Sequence, residues 1–351
     1  MSLSWEEEMS KKVTMDDIAK KTGMSKNTVS LALRNMPGIN DQTRKLIYDT
    51  AKQLGYEYKK GSADVSDNAA SYKNICLIFS KDTHKSENFF SYIQYGVESE
   101  AKKNNLNTII YCYDENNEDF ETPLSVKEGI ISGIITLGRI SRKTINSIMK
   151  FNLPLVVIDH YYDDLVCNYV LTDNISGAFI ATEHLIKLGH KKLGFLGDVS
   201  ASSSFYDRHQ GFIKALTHYS IPVNNALSIT DKCLYEYRND GIGRIVEELE
   251  KLPELPSAFF CCNDLEAITV ISALNAMNLL VPEDVSIIGF DNIESSKTVS
   301  PELTTMHISK EIMGQRAVKS LITRMNNSKE LPEKILLPVT FVGRSSTKKL
   351  D

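Results

Sequence analysis

The chain has 351 residues, of which 42% are hydrophobic and 24% are charged, and its net charge is −5. This composition is typical of a globular protein long enough for two or three domains. No apolar run approaches the roughly 20 residues of a membrane-spanning helix, and the N-terminus lacks the basic start and apolar stretch of a secretory signal. We therefore expect a cytoplasmic protein, with Met9 as a candidate native start.

The six cysteines are scattered, without a C-x-x-C pair and without a histidine at metal-binding spacing. Most of them lie in apolar runs that are typical of strands. We interpret them as small buried residues of a reducing compartment, and we expect neither a bound metal nor a cofactor.

The charge is unevenly distributed along the chain. Residues 11–60 contain 11 lysines and arginines against 5 acidic residues, a net charge of +6, whereas the rest of the chain carries a net charge of −11. A basic N-terminal segment on an acidic body indicates that only this segment meets a polyanion.

The basic segment begins with two predicted short helices. A T-x-x-D capping box at Thr14 and Asp17 predicts the start of the first helix, which Gly23 ends, and Ser25 is the predicted cap of the second. Two short helices joined by a tight glycine-containing turn are typical of the helix-turn-helix motif. Helix pairs of this size also occur as plain packing elements.

A third helix is predicted from the cap residue Asp41 to Leu54. In a helix-turn-helix domain the second helix lies in the major groove, with its first residues against the base edges. Here these residues are Lys26, Asn27 and Thr28. Lysine can reach guanine acceptors, asparagine can pair with adenine, and the threonine methyl can contact thymine. The pattern therefore predicts a DNA-binding head.

The whole head resembles that of the LacI/GalR family of bacterial repressors. VTMDDIAKKTGMSKNTVSLAL, followed by INDQTRKLIYDTAKQLGY, matches the family pattern over more than forty residues with several fixed spacings. By this resemblance Lys26 and Asn27 choose the operator sequence, and Arg34 adds charge toward the DNA backbone. Leu31 stands where a base-reading arginine is common. The positions that usually grip phosphates are Thr14, Thr28, Ser30, Asn35 and Thr43.

Residues 57–74 are polar and rich in small side chains, which is typical of a linker. The resemblance implies a hinge helix here that wedges a leucine into the minor groove. This chain departs from that pattern, since Tyr58 replaces the usual proline and Val65 stands at the leucine position. Asp64 and Asp67 would repel phosphate. Either the hinge is weak or it contacts DNA in another way.

After the linker, short β-branched runs alternate with amphipathic helical stretches. This alternation predicts parallel sheets with helices on both faces, and the number of units favours two lobes around a ligand cleft. We expect an α/β two-lobed body of two doubly wound parallel sheets behind a small all-α head. The expected boundaries are 12–56 for the helix-turn-helix domain, 57–74 for the linker, 75–170 plus 304–332 for the first lobe, and 171–303 plus 333–346 for the second lobe.

Polar residues end several predicted strands of the body, where doubly wound folds bind ligands. Asp159, Asn263, Asp264 and Asp291 stand at such ends, although each alone is also compatible with a helix N-cap. Several segments of this chain resemble the family's sensor body, among them LPLVVID, FFCCND and VPEDVSIIGFDN. That sensor body is similar in fold to periplasmic sugar-binding proteins. The resemblance implies that Asp159, Asn263 and Asp291, together with Arg208, pair with hydroxyl groups of the ligand.

Aromatic side chains are candidates to stack on such a ligand. Phe89 and Phe90 follow the first strand of the body, and Tyr235 or Tyr237 are candidates for the other side. For any one of them an ordinary core position is an equal alternative. Ile308 stands where a polar contact is common in the family, so the pocket need not be polar throughout.

These observations predict a sequence-specific, DNA-binding transcription regulator. The resemblance makes it a repressor controlled by a sugar, sugar derivative or nucleoside. We find no dinucleotide fingerprint, phosphate-binding loop or nucleophile elbow, and therefore expect no enzyme activity. The expected partners are operator DNA, the effector and a second copy of the chain, because no heptad helix follows FVGRSST to form a tetramer. The alternatives are the same DNA-binding role under a protein partner and, more remotely, a solute-binding protein.

Overall fold

The computed structural model of the chain describes residues 13–33, 39–56, 73–81, 89–114, 121–327 and 329–350. The chain divides into two compact units, a head at Met1–Ser71 and a body at Tyr72–Asp351. The predicted phosphate-side residues Arg34 and Asn35, and the hinge residues named above, lie outside the described residues. In the described part of the chain, no helix is both long and apolar enough to cross a bilayer.

The head contains three helices, α1 (Met15–Thr22), α2 (Lys26–Leu33) and α3 (Asp41–Gln53). The capping box of α1 forms as predicted, because the backbone N–H and the hydroxyl of Thr14 both donate to the carboxylate of Asp17, at 2.8 and 2.7 Å. Gly23 ends the helix with a φ of 70°, a left-handed conformation that favours glycine.

The caps of the other two helices come from neighbouring polar residues. Ser25 Oγ accepts the N–H of Thr28 at 3.0 Å, as the sequence predicts for α2. The predicted cap of α3 is wrong by one residue. Asn40 has the extended backbone of a cap and accepts the N–H of Thr43 at 2.7 Å, whereas Asp41 already lies in the helix.

The three helices of the head share one small core. Each helix contributes to it, and its buried residues are Ile18, Val29, Ala32, Leu33, Ile47 and Ala51. Because Val29 and Leu33 face this core, the opposite side of α2 is open to solvent. Lys26 and Asn27 are exposed there.

The first lobe of the body is built on a six-stranded, all-parallel sheet of order β10-β5-β4-β3-β1-β2. Each inner strand is short and rich in β-branched residues, as buried parallel strands require. The strands are β1 (Lys73–Ser80), β2 (Leu106–Tyr113), β3 (Ile131–Leu137), β4 (Leu155–Ile158), β5 (Asn168–Thr172) and β10 (Lys334–Leu337). The helices are α4 (Phe89–Lys103), α5 (Leu124–Lys127), α6 (Arg142–Met149) and α11 (Lys310–Asn326).

The second lobe has a three-stranded parallel sheet of order β6-β7-β8 and a two-stranded antiparallel sheet of β9 and β11. The strands are β6 (Leu193–Leu196), β7 (Ala258–Cys261), β8 (Ser286–Ile288), β9 (Thr305–His307) and β11 (Thr340–Val342). The helices are α7 (Asn174–Lys187), α8 (Ser203–His218), α9 (Ile242–Glu250) and α10 (Asp264–Ala276).

Both parallel sheets are buried on both faces. In β1, Ile75 and Leu77 belong to one hydrophobic cluster, and Cys76 and Ile78 belong to another. The same alternation holds for β7. Because side chains alternate across a strand, each sheet is covered by helices on two sides, which confirms the predicted doubly wound α/β class.

The chain passes between the lobes three times, after β5, before α11 and after β10. Strand β10 pairs with β5 in the first sheet, from Lys334–Tyr169 to Leu337–Thr172. Strand β9 (Thr305–His307) pairs with β11 and bridges to Asp291, so it belongs to the second lobe and differs from the expectation that assigned 304–332 to the first. Residues 334–337 differ from the expectation that assigned 333–346 to the second lobe, because β10 lies in the first sheet. The strand is half exposed at the sheet edge, so its weak apolar pattern gave no signal for its partner.

Helices α4 and α11 approach each other through two glycines. A Cβ added to Gly96 would lie 2.1 Å from the carbonyl oxygen of Glu311, and one added to Gly314 would lie 2.1 Å from that of Ile93. Neither carbonyl group could move away from the added Cβ unless the two helices separated. Glycine at these two positions therefore sets the distance between α4 and α11.

We predict that Gly314→Ala lowers the free energy of unfolding of the body by about 2 kcal/mol or more, because overpacking against backbone cannot relax. Urea unfolding followed by circular dichroism measures this. The control is Gly243→Ala in α9, whose added Cβ would have no atom within 4 Å. Its expected effect is neutral, or a stabilisation of up to about 1 kcal/mol. Equal effects of the two substitutions would refute the close approach.

Candidate functional site

A cavity of about 290 Å³ lies between the two lobes, at the carboxyl ends of their strands. Ser80 lines it at the end of β1, and Gly138 and Asp159 line it just after β3 and β4. Asn263 and Asp291 line it from beyond β7 and β8. This is where doubly wound folds place ligands. The six residues that the sequence analysis named as ligand contacts all line this cavity: Phe89, Phe90, Asp159, Arg208, Asn263 and Asp291.

The aromatic part of the cavity wall comes from both lobes. Phe89 and Phe90 begin α4 and meet edge to face, with ring centroids 4.9 Å apart. Of the two alternatives for the other side, Tyr235 lines the cavity. Tyr237 does not line it, and its ring lies 4.6 Å below the guanidinium of Arg244.

Arg208 on α8 is 2% exposed, and every branch of its guanidinium has a partner. Nε donates to Asn174 Oδ1 at 2.9 Å, and Nη1 donates to the carbonyl oxygen of Cys262 at 2.6 Å. Nη2 lies 3.0 Å from Asp291 Oδ1 in an ion pair. The ring of Phe290 lies 3.9 Å from Cζ. The guanidinium thus joins the ends of α7, β7 and β8 through one buried charge.

The carboxylate of Asp159 has an oxygen without a hydrogen-bond donor. Asp159 Oδ1 is buried without a partner among the described residues, whereas Asp291 Oδ1 lies 3.0 Å from Arg208 Nη2 in an ion pair. Burial raises the pKa of Asp159 to about 7, with Arg208 lowering it and Asp291 raising it. Burial also raises the pKa of Asp291, against the effect of Arg208. Asp159 is therefore an acceptor for which the described residues supply no donor.

The alternative roles of the two residues after β7 are resolved by their contacts. Asn263 is the N-cap of α10, since its Oδ1 accepts the N–H of Glu266 at 2.8 Å, and it also lines the cavity. Asp264 is not the cap. Its carboxylate accepts the N–H of Ile293 at 2.9 Å and the hydroxyl of Thr305. Burial, followed by the charge of Asp291, raises the pKa of Asp264 to about 8.

Two further buried charges support the loops of the cavity. The ammonium group of Lys310 donates to the carbonyl oxygens of Asp291 and Asn292, and burial lowers its pKa. The carboxylate of Glu266 accepts the N–H groups of Leu234 and Tyr235 at 3.0 and 3.1 Å. Burial raises the pKa of Glu266 to about 7. These side chains hold the backbone that presents Asp291 and Tyr235.

Polar contacts join the two lobes beside the cavity. Arg139 Nη1 donates to the carbonyl oxygen of Ala201 at 2.9 Å. The hydroxyl of Tyr161 donates to Asp207 Oδ1 at 2.9 Å. Each pair has one member in the first lobe and one in the second, so these contacts stabilise the lobe arrangement seen here.

A neighbouring cavity of about 370 Å³ lies beside Tyr92 and Ile312. Several of its polar groups have partners, for example Lys297 with Glu294 at 2.9 Å. None of the buried side-chain atoms without a partner, as found among the described residues, lines it. Ile308 borders this cavity and is 1% exposed, as an ordinary core residue.

The predicted DNA-contacting residues of the head that the structure describes are exposed or partly exposed. Lys26 and Asn27 are exposed at the start of α2, and Thr14 is exposed at the start of α1. Lys26 Nζ forms an exposed ion pair with Asp16 Oδ2 at 2.8 Å. The other predicted contacts within the described residues, Thr28, Ser30 and Thr43, are partly exposed.

Sequence reasoning missed several residues of the cavity and its supports, among them the following three. Asn174 holds Arg208, Lys310 holds the backbone at Asp291, and Arg139 lines the wall. The sequence position of Arg139 and Asn174 could have indicated a role at the cavity, since both residues follow strand ends. Nothing local distinguishes Lys310, because a lysine at a helix start is ordinarily exposed. Among the described residues no group of three metal-binding side chains exists.

Comparison with known proteins gives the same two parts. Residues 14–58 match the family of bacterial regulatory proteins called the lacI family, and residues 182–347 match the periplasmic binding protein-like domain. The chain is 31% identical over 340 residues to the probable HTH-type transcriptional repressor ExuR of Bacillus subtilis strain 168. The match covers 96% of this chain and 99% of that protein.

Two solved structures resemble the chain. A LacI family transcriptional regulator from Enterococcus faecium with bound ribose is 28% identical, with a TM-score of 0.68 over 80% of this chain and all of that one. The lac repressor dimer bound to operator and the anti-inducer ONPF is 21% identical, with a TM-score of 0.64 over 96% of this chain and all of that one. The latter likeness concerns the fold.

We predict that Arg208→Met lowers the free energy of unfolding by about 3 kcal/mol at pH 8, because it leaves Asp291 buried without its counter-ion. The loss is smaller at pH 5. Without the guanidinium the carboxyl pKa values in the folded state rise further, so stability is retained at low pH and lost as the pH rises through those values. Urea unfolding at both pH values measures this, with the exposed Arg244→Met as control. A loss independent of pH would refute the ion-pair explanation.

Proposed function

Because the chain belongs to the lacI family of bacterial regulatory proteins, and is therefore a transcription regulator and not an enzyme, we propose how it acts. The head binds operator DNA, and a small sugar-like effector in the 290 Å³ cavity controls repression. One observation supports the proposal that the cavity binds the effector. The six residues predicted from the sequence come from two lobes and converge on a single cavity that contains the unsatisfied acceptor Asp159 Oδ1.

The DNA-binding part of the proposal rests on the exposed start of α2. Lys26 and Asn27 are long or bidentate side chains that can reach base edges in the major groove. The hydroxyl groups of Thr14 and Thr43 stand at the starts of α1 and α3, where helix N-termini favour phosphate. We extend the phosphate-contact role to Thr28, Ser30, Arg34 and Asn35, as proposed from the sequence.

The effector part rests on the chemistry of the cavity wall. Carboxylates at Asp159 and Asp291, an amide at Asn263 and the aromatic rings of Phe89 and Phe90 combine acceptors with apolar faces. A polyhydroxyl ring compound offers hydroxyl donors at its rim and C–H groups at its faces. The related Enterococcus faecium protein was solved with bound ribose, which supports this ligand class.

Coupling between the two parts is proposed to be a population shift. A ligand that contacts both lobes stabilises one lobe arrangement over others. In a homodimer, two heads must match half-sites about 34 Å apart, so a change of lobe arrangement alters operator affinity. We propose cytoplasmic action as such a dimer. The proposed boundaries are 12–56 for the DNA-binding domain and 57–74 for the linker, with the strand at 334–337 assigned to the first lobe.

We predict that Asn27→Ala relaxes operator choice and leaves the body folded, because a bidentate base contact provides about 1–3 kcal/mol of discrimination. Selection from random DNA, followed by binding titrations on the selected and scrambled sites, measures this. The matched control is Gln53→Ala, which removes an exposed amide from the end of α3. An unchanged site preference in Asn27→Ala would contradict the assignment of α2.

We predict that Asp159→Asn weakens effector binding about tenfold or more at pH 8, since a hydrogen bond to a charged acceptor contributes about 1.5–3 kcal/mol. The ionised form of Asp159 is the better acceptor, so wild-type affinity falls as the pH drops below about 7. In Asp159→Asn this dependence flattens. Thermal-shift titrations with ribose and other sugars between pH 5.5 and 8.5 measure both effects. The exposed Asp163→Asn serves as control.

A further inference from the structure

Asp16 is an acidic residue beside a proposed base contact of the head. It lies in the first turn of α1, is exposed, and its Oδ2 accepts a hydrogen bond from Lys26 Nζ at 2.8 Å. Lys26 is the first residue of α2 and is itself exposed. A carboxylate this close to a base-contacting ammonium group reaches the same part of the major groove when the head binds DNA.

The fold of the head does not depend on Asp16. The neighbouring Asp17 forms the capping box of α1, because both donors of Thr14 bind its carboxylate. The ion pair between Asp16 and Lys26 is exposed at both ends, and such pairs contribute little to stability because water screens them. Neither side chain belongs to the buried core of the three helices. Asp16 therefore takes no part in the cap or in the core.

An acidic side chain at this place has a cost for DNA binding. DNA phosphates attract the lysines and arginines of a protein and repel its carboxylates. Residues 11–60 have a net charge of +6, which favours binding to DNA of any sequence. Asp16 reduces this attraction and partly neutralises the nearby Lys26. It therefore weakens non-specific binding, and a specific contact is needed to offset the loss.

The ion pair is complementary to the major-groove edge of a G·C base pair. Guanine presents the acceptors N7 and O6, and the paired cytosine presents its N4 amino group beside them. The ammonium group of Lys26 has three donors, of which Asp16 takes one, and the contact with Lys26 uses only Oδ2 of Asp16. Lysine can therefore donate to guanine while the carboxylate accepts from cytosine. An A·T pair instead places the apolar thymine methyl group in this edge.

We propose that Asp16 is a specificity-determining residue, which together with Lys26 reads one G·C base pair in each half-site of the operator. Lys26 donates to the guanine, and Asp16 accepts from the cytosine of the same base pair. At an A·T pair the two charges meet the thymine methyl group, and the repulsion between Asp16 and phosphate is not offset. This inference rests on the proposed DNA-binding role of α2 and adds a residue of α1 and the base pair that it selects.

The test is selection from random DNA by the full-length protein, by Asp16→Ala and by Lys26→Ala. Binding titrations then compare the selected site with one in which the G·C pair is replaced by A·T. We expect both variants to lose the same G·C preference, with a fall in discrimination of about fivefold or more in Asp16→Ala. The double variant discriminates no worse than either single variant, because the two side chains act as a unit.

A second readout separates lost specificity from a lost fold. We expect Asp16→Ala to bind non-operator DNA about twofold or more tightly than the wild type, because a carboxylate near the phosphates is gone. An unfolded head would not show this gain. The matched control is Asp49→Ala, which removes an exposed carboxylate from α3 and is expected to retain the G·C preference.

The possible outcomes distinguish the inference from the proposed function. Loss of one G·C preference at the same position in both single variants supports the inference. Retention of that preference in Asp16→Ala, or a change at a different position, overturns it, while a preference altered by Lys26→Ala leaves the DNA-binding role of α2 in place. If the folded wild-type protein selects no site, the proposed DNA-binding role is overturned together with the inference.

Discussion

The ion pair between Arg208 and Asp291 is the interaction on which the cavity between the lobes depends. A guanidinium that is 2% exposed needs polar partners, and those of Arg208 come from the start of α7, the end of β7 and the loop after β8. The charge therefore fixes where three separate strand ends and helix starts meet. A hydrophobic side chain of the same volume could fill the space, but it could not orient Asp291 toward the cavity.

Buried charges also connect the loop at Asp291 to the first lobe. Its carbonyl oxygen accepts from Lys310, the first residue of α11, and Asp264 holds Ile293 two positions further along the chain. Helix α11 packs on the sheet of the first lobe. The loop that presents Asp291 to the cavity is thus attached to a segment that crosses between the lobes. Lys310 therefore links the backbone at Asp291 to the start of a helix of the first lobe.

Much of the fold and the site could be predicted from the sequence, because capping boxes, glycine stops and apolar runs are local signals. The cap of α3 was misplaced because Asn40 and Asp41 are both good caps, and only backbone angles separate them. The place of strand β10 in the first sheet was not predicted, because a half-exposed edge strand has a weak apolar pattern. Asn174 and Lys310 act through partners distant in sequence, at Arg208 and Asp291, which no local pattern contains.

The placement of Asp159 and Asp291 on different lobes ties the chemistry of the cavity to the lobe arrangement. Asp159 lies in the first lobe and Asp291 in the second, and the charge of Asp291 adds to the burial that raises the pKa of Asp159. Contacts such as Arg139 with Ala201 hold the lobes in the arrangement described here, which leaves Asp159 Oδ1 without a donor. A ligand hydroxyl at Asp159 would supply that donor. A ligand that also contacts the second lobe would bind one lobe arrangement better than another, and this difference is the free energy that a population shift requires.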